Sequence, residues 1–184
     1  METYRFLLSG SGGQGVITMA ILLAEASVLH EGRIAVQSQS YGPEARGGAT
    51  RSDVIISDEV IDFPKVLQPN ILVALTDEAA GKYLPLIRPG GLYLYDVDLV
   101  RPNNSNIDTR NKGLPMYQAV IDALGKPLAF NICVLGALAA LTRAVRLDSL
   151  EKILATRFAA AHHENNKKAL HLGAKLAGPL VDID

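Results

Sequence analysis

The chain has 184 residues, of which 48% are hydrophobic and 20% charged, and its net charge is −1 at pH 7. This composition is typical of one globular α/β domain with enough apolar material for a core, and the even balance of charge excludes a basic surface for nucleic acid. The longest apolar run is shorter than the roughly 20 residues of a membrane-spanning helix, and Met1-Glu2 does not begin a signal peptide. We therefore expect a cytoplasmic protein.

The first predicted element is a strand that runs directly into a glycine-rich turn. Residues 4–9 form an apolar strand, Gly10-Ser11-Gly12-Gly13-Gln14-Gly15 follows, and residues 16–30 repeat apolar side chains with helical period. The order strand, G-x-G-x-x-G, helix directs backbone N–H groups and the positive end of a helix at a phosphate. We predict a phosphate-binding turn, with a tight βα turn that binds nothing as the alternative.

The end of the second predicted strand indicates which class of ligand this turn binds. A dinucleotide site needs an acidic residue about 20 residues beyond the glycines, where it binds the ribose hydroxyls. The strand at 34–38 ends in Gln37 and Ser38, and the nearest acid, Glu44, lies deep in the following loop. This counts against NAD or FAD and favours another phosphate-bearing or anionic ligand.

A second glycine-rich segment connects the second strand to the third. Its sequence is Ser40-Tyr41-Gly42-Pro43-Glu44-Ala45-Arg46-Gly47-Gly48. The glycines and the proline set the backbone conformation, while Glu44, Arg46 and Tyr41 supply a carboxylate, a planar fork of donors and an aromatic face. A loop that only turns needs none of these groups, so the segment is a candidate binding loop. The alternative is a solvated crossover in which Glu44 and Arg46 pair with each other.

The remaining elements predict a mostly parallel sheet. Strands are predicted at 49–57, 71–75 and 92–96, and a hairpin-like turn at 58–59 leads into a short piece at 60–62. A helix is predicted to begin at Thr76 or Asp77 and to continue to about Ile87. Residues 101–113 are predicted to be a loop or weak strand. Residues 1–184 are thus predicted to form one α/β domain, a doubly wound, Rossmann-like sheet flanked by helices with a helical C-terminal part. Both glycine-rich loops should lie at one edge of this sheet.

The C-terminal part is predicted to be helical. Helices are expected at 116–124, 131–146, 147–162 and 166–175. Small residues such as Gly136 and Ala137 on one face of the second helix predict very close packing against a neighbour. Asn131 stands at the start of that helix, where N-capping is a sufficient explanation. Cys133 is the single cysteine and is predicted to be a buried, inert thiol, since an iron–sulfur cluster needs several thiolates.

No catalytic or metal-binding residue is predicted. His162 and His163 point to different sides of a helix, and neither has i, i+4 spacing with His171. No nucleophile elbow indicates a Ser/His/Asp arrangement. If the protein takes part in electron transfer, the metal centres lie on another chain.

With both loops considered, the chain resembles the γ subunit, or the corresponding fused domain, of the 2-oxoacid:ferredoxin oxidoreductases. It is most similar to the stand-alone γ subunit of the 2-oxoglutarate enzymes. The resemblance covers nearly the whole chain and is carried by 10–16, 22–26, 40–48, 56–58 and 131–137. The stretch Tyr-Gly-Pro-Glu-x-Arg-Gly-Gly is its most specific part.

The resemblance implies a reaction and a set of partners. A 2-oxoacid, coenzyme A and oxidised ferredoxin give acyl-CoA, carbon dioxide and reduced ferredoxin. Coenzyme A is a substrate of the complex, whereas thiamine diphosphate, magnesium and the iron–sulfur clusters belong to other subunits. The expected partners are α and β subunits, an optional ferredoxin-like δ subunit, and ferredoxin as electron acceptor, with no nucleic acid and no membrane.

The resemblance also implies that this subunit helps to bind coenzyme A and covers the active site formed by the others. The residues assigned to coenzyme A binding are Gly10, Gly12, Gly13, Gln14, Gly15, Tyr41, Gly42, Pro43, Glu44, Arg46 and Asn131. Three alternatives stay open: a pyruvate, branched-chain or indolepyruvate enzyme of the same family, a self-sufficient dinucleotide-dependent oxidoreductase, and a scaffold subunit that binds no ligand.

The cysteine count generates a first prediction. The pure chain should not oxidise any 2-oxoacid, because a single thiol cannot hold a cluster and no thiamine site is recognisable. The measurement is reduction of an artificial dye by the purified chain in the presence of coenzyme A and each 2-oxoacid. Dye reduction that depends on an oxoacid would contradict the prediction.

Overall fold

The computed structural model describes residues 3–39, 49–101 and 107–178. The strands are β1 (Tyr4–Gly10), β2 (Ile34–Gln39), β3 (Thr50–Ser57), β4 (Ile71–Ala74), β5 (Gly91–Asp96) and β6 (Thr109–Leu114). The helices are α1 (Val16–Glu31), α2 (Asp77–Tyr83), α3 (Met116–Leu124), α4 (Phe130–Thr142), α5 (Leu147–Arg157) and α6 (Ala160–Ala177), with short 3₁₀ helices at Leu84–Leu86 and Pro127–Ala129. Within these ranges no helix combines the length and the apolar character needed to cross a membrane.

The six strands form one sheet in the order β2-β3-β1-β4-β5-β6. β1, β4, β5 and β6 are mutually parallel, whereas β3 is antiparallel to both of its neighbours, β1 and β2. The predicted α/β fold with a mostly parallel sheet is therefore confirmed. We call the edge at which β1, β4, β5 and β6 end the C-terminal edge; β2 also ends there, and β3 begins there.

The two faces of the sheet are covered unequally. Phe6 and Leu8 of β1 face a large core built with α1, α3, α4, α5 and α6. Leu7, between them, faces a smaller core built mainly with α2 and the 3₁₀ helix that follows it. All three side chains are fully buried, which explains why a strand covered on both faces reads as a continuous apolar run.

The predicted hairpin at 58–62 is wrong. Residues 58–70 form no strand and instead cross the face of the sheet with the smaller core, the thinly covered face, on which Asp53 lies beside Leu7. The backbone of Val66 is held there by the buried Asp53, whose Oδ2 accepts from the Val66 N–H group at 3.1 Å. Asp53 is in turn paired with Arg51, with 2.8 Å between Arg51 Nε and Asp53 Oδ1. Side-chain hydrogen bonds thus replace the strand ladder that a hairpin requires.

Several helix boundaries differ from the predictions for identifiable reasons. α2 ends at Tyr83 because Pro85 cannot donate a helical hydrogen bond. α4 ends at Thr142 because Arg143 adopts a left-handed conformation, with φ of 53°. The helix predicted at 147–162 ends at Arg157, and its successor begins at Ala160 rather than Asn166. The weak strand expected within 101–113 is the edge strand β6.

α4 and α6 cross so closely that their backbones touch. A Cβ atom built on Gly136 of α4 would overlap the carbonyl oxygen of Leu170, and one built on Gly173 of α6 would overlap the carbonyl oxygen of Cys133. The close packing predicted for this face of α4 is confirmed. Only hydrogen fits at either position.

This contact generates a second prediction. Gly173→Ala should lower the free energy of unfolding by about 1–3 kcal/mol, because the methyl group forces two helices apart. Gly81→Ala is the matched control, since Gly81 is an exposed glycine in α2 with no atom within 4 Å of its built Cβ. The free energy of unfolding of this control variant should rise by about 0.5–1 kcal/mol. Denaturant unfolding followed by circular dichroism measures both, and equal effects of the two substitutions would contradict the prediction.

Candidate functional site

The glycine-rich turn lies at the C-terminal edge, between the end of β1 and the start of α1. Gly13 has φ of 87° and Gly15 has φ of 72°, a left-handed region that favours glycine. Gly15 is the N-cap of α1, and no side chain among the described residues caps this helix. The turn therefore ends at the C-terminal edge in a helix N-terminus that no described side chain caps.

Gln14 holds the turn in place. Its Oε1 accepts from the Ser11 N–H group at 2.7 Å, and its Nε2 donates to the Leu75 carbonyl at 3.2 Å. A Cβ on Gly10 would overlap Gln14 Oε1 and lie 3.2 Å from Leu75 Cβ. Both polar ends of Gln14 thus bind backbone, and its role in the described structure is to fasten the turn to the residue after β4.

The outer side of the turn is open. Gly12 and Gly13 are exposed, and a Cβ built on either would meet no atom of the described residues within 4 Å. The first hydrogen bond of α1 runs from the Met19 N–H group to the Gly15 carbonyl at 2.9 Å. The backbone N–H groups of residues 16–18 have no acceptor among the described residues, so they are available to an anion.

A cavity of about 530 Å³ adjoins the turn. Four of its lining residues were predicted from the sequence: Gly13, Gln14, Gly15 and Asn131. The other five were missed: Leu99, Tyr117, Pro127, Leu128 and Phe130. The missed residues are apolar or aromatic and come from three separate segments. The only sequence signal for them was that residues following β5 must emerge at the same edge as the turn.

The apolar wall of the cavity is built around an aromatic pair. The rings of Tyr117 and Phe130 meet edge to face, with 5.4 Å between centroids and 80° between planes. Leu128 forms the rim and is 66% exposed. A site with backbone N–H groups on one side and aromatic and aliphatic carbon on the other suits a ligand with an anionic part and an uncharged part.

Asn131 does not cap α4, contrary to the sequence-based interpretation. The N-cap is Ala129, so Asn131 lies inside the first turn of the helix. Its side chain packs on the turn: a Cβ built on Gly15 would lie 2.5 Å from Asn131 Nδ2. Among the described residues its amide has no hydrogen-bond partner, and it lines the cavity.

A buried carboxylate, Asp96, joins the segments that carry the apolar wall. It is the last residue of β5 and is fully buried. Its Oδ2 accepts from the Tyr117 N–H group at 2.7 Å, and its Oδ1 accepts from the Asp98 N–H group at 2.9 Å. Burial raises the pKa of Asp96 above its usual range, although these backbone hydrogen bonds act in the opposite direction.

The second glycine-rich loop, with the predicted residues Tyr41, Gly42, Pro43, Glu44 and Arg46, lies outside the described residues. The described residues on either side of it are at the C-terminal edge. Thr50 is paired with Gly10, and Gln39 is paired with Ser52. The chain thus leaves and re-enters the described sheet at the edge that carries the glycine turn. Whether the loop shares a ligand with the turn stays a prediction.

The other reactive side chains lie outside this cavity. Cys133 is fully buried, as predicted, and burial raises its pKa to about 12. His171 lies 2.5 Å from Glu151, which also pairs with Lys167 at 2.7 Å, and these two contacts lower the pKa of Glu151. The described ranges contain no group of three or more His, Cys, Asp or Glu residues that could hold a metal ion.

A larger cavity, of about 670 Å³, lies at the opposite edge of the sheet. It is lined by the start of β1, the end of β3 and the segment that crosses the thinly covered face, including Arg5, Ser57 and Phe63. None of the predicted site residues that the structure describes lines it. Its volume exceeds that of the cavity at the turn, but it has no open helix N-terminus, so we consider the smaller cavity the better candidate.

An open α/β sheet with a glycine-rich turn at the carboxyl end of its first strand is the arrangement of proteins that bind phosphate-bearing ligands. Comparison with known proteins defines the class further. Residues 5–176 match the model of the pyruvate ferredoxin/flavodoxin oxidoreductase family. The chain belongs to this family, and it is an oxidoreductase subunit of the γ type.

Individual proteins resemble the chain along most of its length. The 2-oxoglutarate synthase subunit KorC of Methanocaldococcus jannaschii is 42% identical over 174 residues, which cover 94% of this chain and 93% of that protein. The γ subunit of a keto/oxoacid ferredoxin oxidoreductase from Geobacter sulfurreducens superposes with a TM-score of 0.88 at 38% identity, covering 96% and 97% of the two chains.

A larger protein has the same fold in part of its chain. The 2-oxoglutarate:ferredoxin oxidoreductase of Magnetococcus marinus, solved with 2-oxoglutarate, coenzyme A and succinyl-CoA bound, gives a TM-score of 0.86 at 22% identity. The match covers all of this chain and 32% of that one. At this level of identity the likeness concerns the fold.

The glycine turn generates a third prediction. Gly15→Ala should lower the free energy of unfolding by about 1–2 kcal/mol, because a left-handed residue with a Cβ is strained and the methyl group collides with Asn131. Gly12→Ala should change it by less than about 0.5 kcal/mol, since that position is exposed and open. Denaturant unfolding of both variants gives the comparison. A larger loss for Gly12→Ala than for Gly15→Ala would contradict this account of the turn.

Proposed function

We propose that this chain is the γ subunit of a cytoplasmic 2-oxoglutarate:ferredoxin oxidoreductase. The enzyme converts 2-oxoglutarate, coenzyme A and oxidised ferredoxin into succinyl-CoA, carbon dioxide and reduced ferredoxin. The choice of oxoacid is supported by the Methanocaldococcus jannaschii relative, named as a 2-oxoglutarate synthase subunit, which is similar over 94% of this chain. Pyruvate, branched-chain 2-oxoacids and indolepyruvate are the competing substrates, and kcat/KM for each, measured on the assembled enzyme, decides among them.

We further propose that the subunit helps to bind coenzyme A. The observation that carries this role is the open glycine turn beside a cavity of about 530 Å³. The N–H groups at the start of α1 suit the diphosphate of coenzyme A, and the wall of Leu99, Tyr117 and Phe130 suits its uncharged parts. The Magnetococcus marinus protein of the same fold was solved with coenzyme A bound.

Positive charge for the phosphates comes from two sources in this proposal. The described lining of the cavity includes no Lys or Arg. The positive charge that the described residues contribute is therefore the partial charge of the helix N-terminus. Arg46 of the second loop adds a guanidinium that can form a bidentate, charge-assisted pair with a phosphate. Tyr41 and Glu44 shape the same pocket or the contact with a neighbouring subunit.

The oxoacid reacts on other subunits in this proposal. Thiamine diphosphate and the iron–sulfur clusters would then be bound elsewhere in the complex; the described residues do not fit a cluster, because they include one buried thiol and no group of metal-binding side chains. α and β subunits would hold these groups, with a δ subunit where present, and ferredoxin would accept the electrons. The exposed apolar side chains of Val60, Phe63 and Leu67, which are 78%, 56% and 68% exposed, support docking of such partners.

A self-sufficient dinucleotide enzyme fits the geometry less well. In dinucleotide-binding folds the acid that holds the ribose ends the strand next to β1. Here the antiparallel β3 occupies that place. At the end of β2, Ser38 Oγ donates to the Pro64 carbonyl at 3.1 Å and Gln37 Nε2 donates to Ser52 Oγ at 2.7 Å. Neither residue is acidic, and both are engaged within the chain.

The coenzyme A role generates a fourth prediction. In the assembled enzyme, Arg46→Ala should raise the KM for coenzyme A roughly 10- to 100-fold, because a charge-assisted hydrogen bond contributes about 1.5–3 kcal/mol and each 1.4 kcal/mol is tenfold in affinity. Gly12→Val should also raise it, since a branched side chain would occupy the open side of the turn. The KM for 2-oxoglutarate should change little. Steady-state assays with each substrate varied separately give both constants.

The control for lost charge is Arg88→Ala, because Arg88 is exposed and lies at the opposite edge of the sheet. It should leave both KM values unchanged. An unchanged KM for coenzyme A in Arg46→Ala and Gly12→Val, with the complex intact by gel filtration, contradicts the binding role. Loss of this subunit from the complex instead favours the scaffold alternative, in which the loops contact only other subunits.

A further inference from the structure

We propose that Asp96 is the positioning residue of the coenzyme A pocket: its carboxylate fixes the two chain segments that carry Leu99 and Tyr117 relative to the glycine turn. This inference rests on the function proposed above. Asp96 does not line the cavity itself, whereas Leu99 and Tyr117 both do. Its effect on the ligand would therefore pass through these two side chains.

The first link runs through the start of α3. The N-cap of this helix is Pro115, which offers no side-chain acceptor. Asp96 supplies one from the neighbouring strand, with its Oδ2 at 2.7 Å from the Tyr117 nitrogen. The first turn of a helix has unpaired N–H groups and frays unless it is capped. The bond thereby fixes the backbone that carries the Tyr117 ring against Phe130.

The second link runs through the turn that follows β5. Asp96 Oδ1 accepts from the Asp98 N–H group at 2.9 Å. The backbone carbonyl of Asp96 also accepts from the Val100 N–H group at 2.9 Å and from the Leu99 N–H group at 3.3 Å. Three bonds to one residue determine the path of this turn. Leu99 is consequently held on the same wall as Tyr117.

The chemistry of the side chain explains why a carboxylate stands here. Each carboxylate oxygen faces a backbone N–H donor, and an ionised carboxylate only accepts hydrogen bonds. An asparagine of the same shape has one acceptor oxygen, and its NH₂ group would face the other N–H donor. Asp96→Asn therefore preserves volume and burial but loses one side-chain acceptor. It weakens the anchoring of either the start of α3 or the turn after β5, where the two bonds to the Asp96 backbone carbonyl remain.

The test uses the assembled enzyme. Asp96→Asn should raise the KM for coenzyme A about tenfold, since a displaced wall loosens the bound geometry, while kcat and the KM for 2-oxoglutarate stay within about twofold because only substrate binding is weakened. Asp122→Asn is the matched control, because Asp122 is exposed on α3, the helix that carries Tyr117, and among the described residues its side chain bonds only to Gln118. An unchanged KM for coenzyme A in Asp96→Asn overturns the proposal.

A double-mutant cycle identifies the route of the effect. Tyr117→Leu should raise the KM for coenzyme A. The double variant should raise this KM by a factor smaller than the product of the two single-variant factors, because both substitutions act on one wall of the cavity. Fully multiplicative effects overturn the positioning role. If the enzyme with Asp96→Asn does not assemble, the Tyr117→Leu variant alone tests the proposal. An unchanged KM for coenzyme A in Tyr117→Leu means that the wall positioned by Asp96 does not contact coenzyme A, and this result overturns the proposal.

The same assays separate this inference from the function on which it rests. If Gly12→Val leaves the KM for coenzyme A unchanged, the pocket does not bind coenzyme A and both ideas fail. If Gly12→Val raises it and Asp96→Asn does not, only the positioning role fails.

Discussion

The backbone contact between α4 and α6 is the constraint on which the helical side of the molecule depends. Gly136 and Gly173 leave no room for side chains, so the two helices can meet in only one register. That register brings the first residues of α4, including Phe130 and Asn131, to the C-terminal edge of the sheet. Asn131 then packs directly on Gly15. The helix crossing, which touches Cys133 two residues beyond Asn131, thus helps to position one of the cavity's walls.

The glycine turn combines two physical requirements in one short motif. Gly10 and Gly15 are needed by the fold, because a side chain at either would collide with Gln14 or Asn131. A side chain at Gly12 or Gly13 would meet no described neighbour, which leaves the surface free for a ligand, although the φ of 87° at Gly13 also favours glycine. Gln14 belongs to the first group despite its polar side chain. The motif is therefore half internal scaffold and half exposed surface.

The sequence predicts local features of this fold well, since strand and helix periodicity depend on neighbouring residues. The bounds of α3 follow from its apolar pattern, and the close packing at Gly136 follows from residue size. The direction of β3 could not be predicted, because pairing with β1 or β2 depends on partners remote in sequence. The failed hairpin at 58–62 has a similar cause, a side-chain network centred on Asp53.

The candidate site was predictable only in part. The glycines can be recognised by their type and spacing, and Gln14 and Asn131 lie within or beside recognisable motifs. Leu99, Tyr117 and Leu128 are ordinary apolar residues that only the folded chain gathers around one cavity. Asp96 was predicted merely as the end of a strand. Its importance depends on two backbone donors that lie after the strand, one of them 21 positions along the chain.

The insertion of β3 between β1 and β2 determines how long a ligand must be to contact the ends of both strands. Adjacent strands lie about 4.8 Å apart, so the end of β2 is separated laterally from the end of β1 by about 10 Å, two strand spacings. Thr50, in contrast, is the direct neighbour of Gly10. A lone phosphate ion held by the turn cannot bridge to Gln39 at the far flank. Any molecule that contacts both must be extended along the edge of the sheet, which selects ligands by reach as well as by charge.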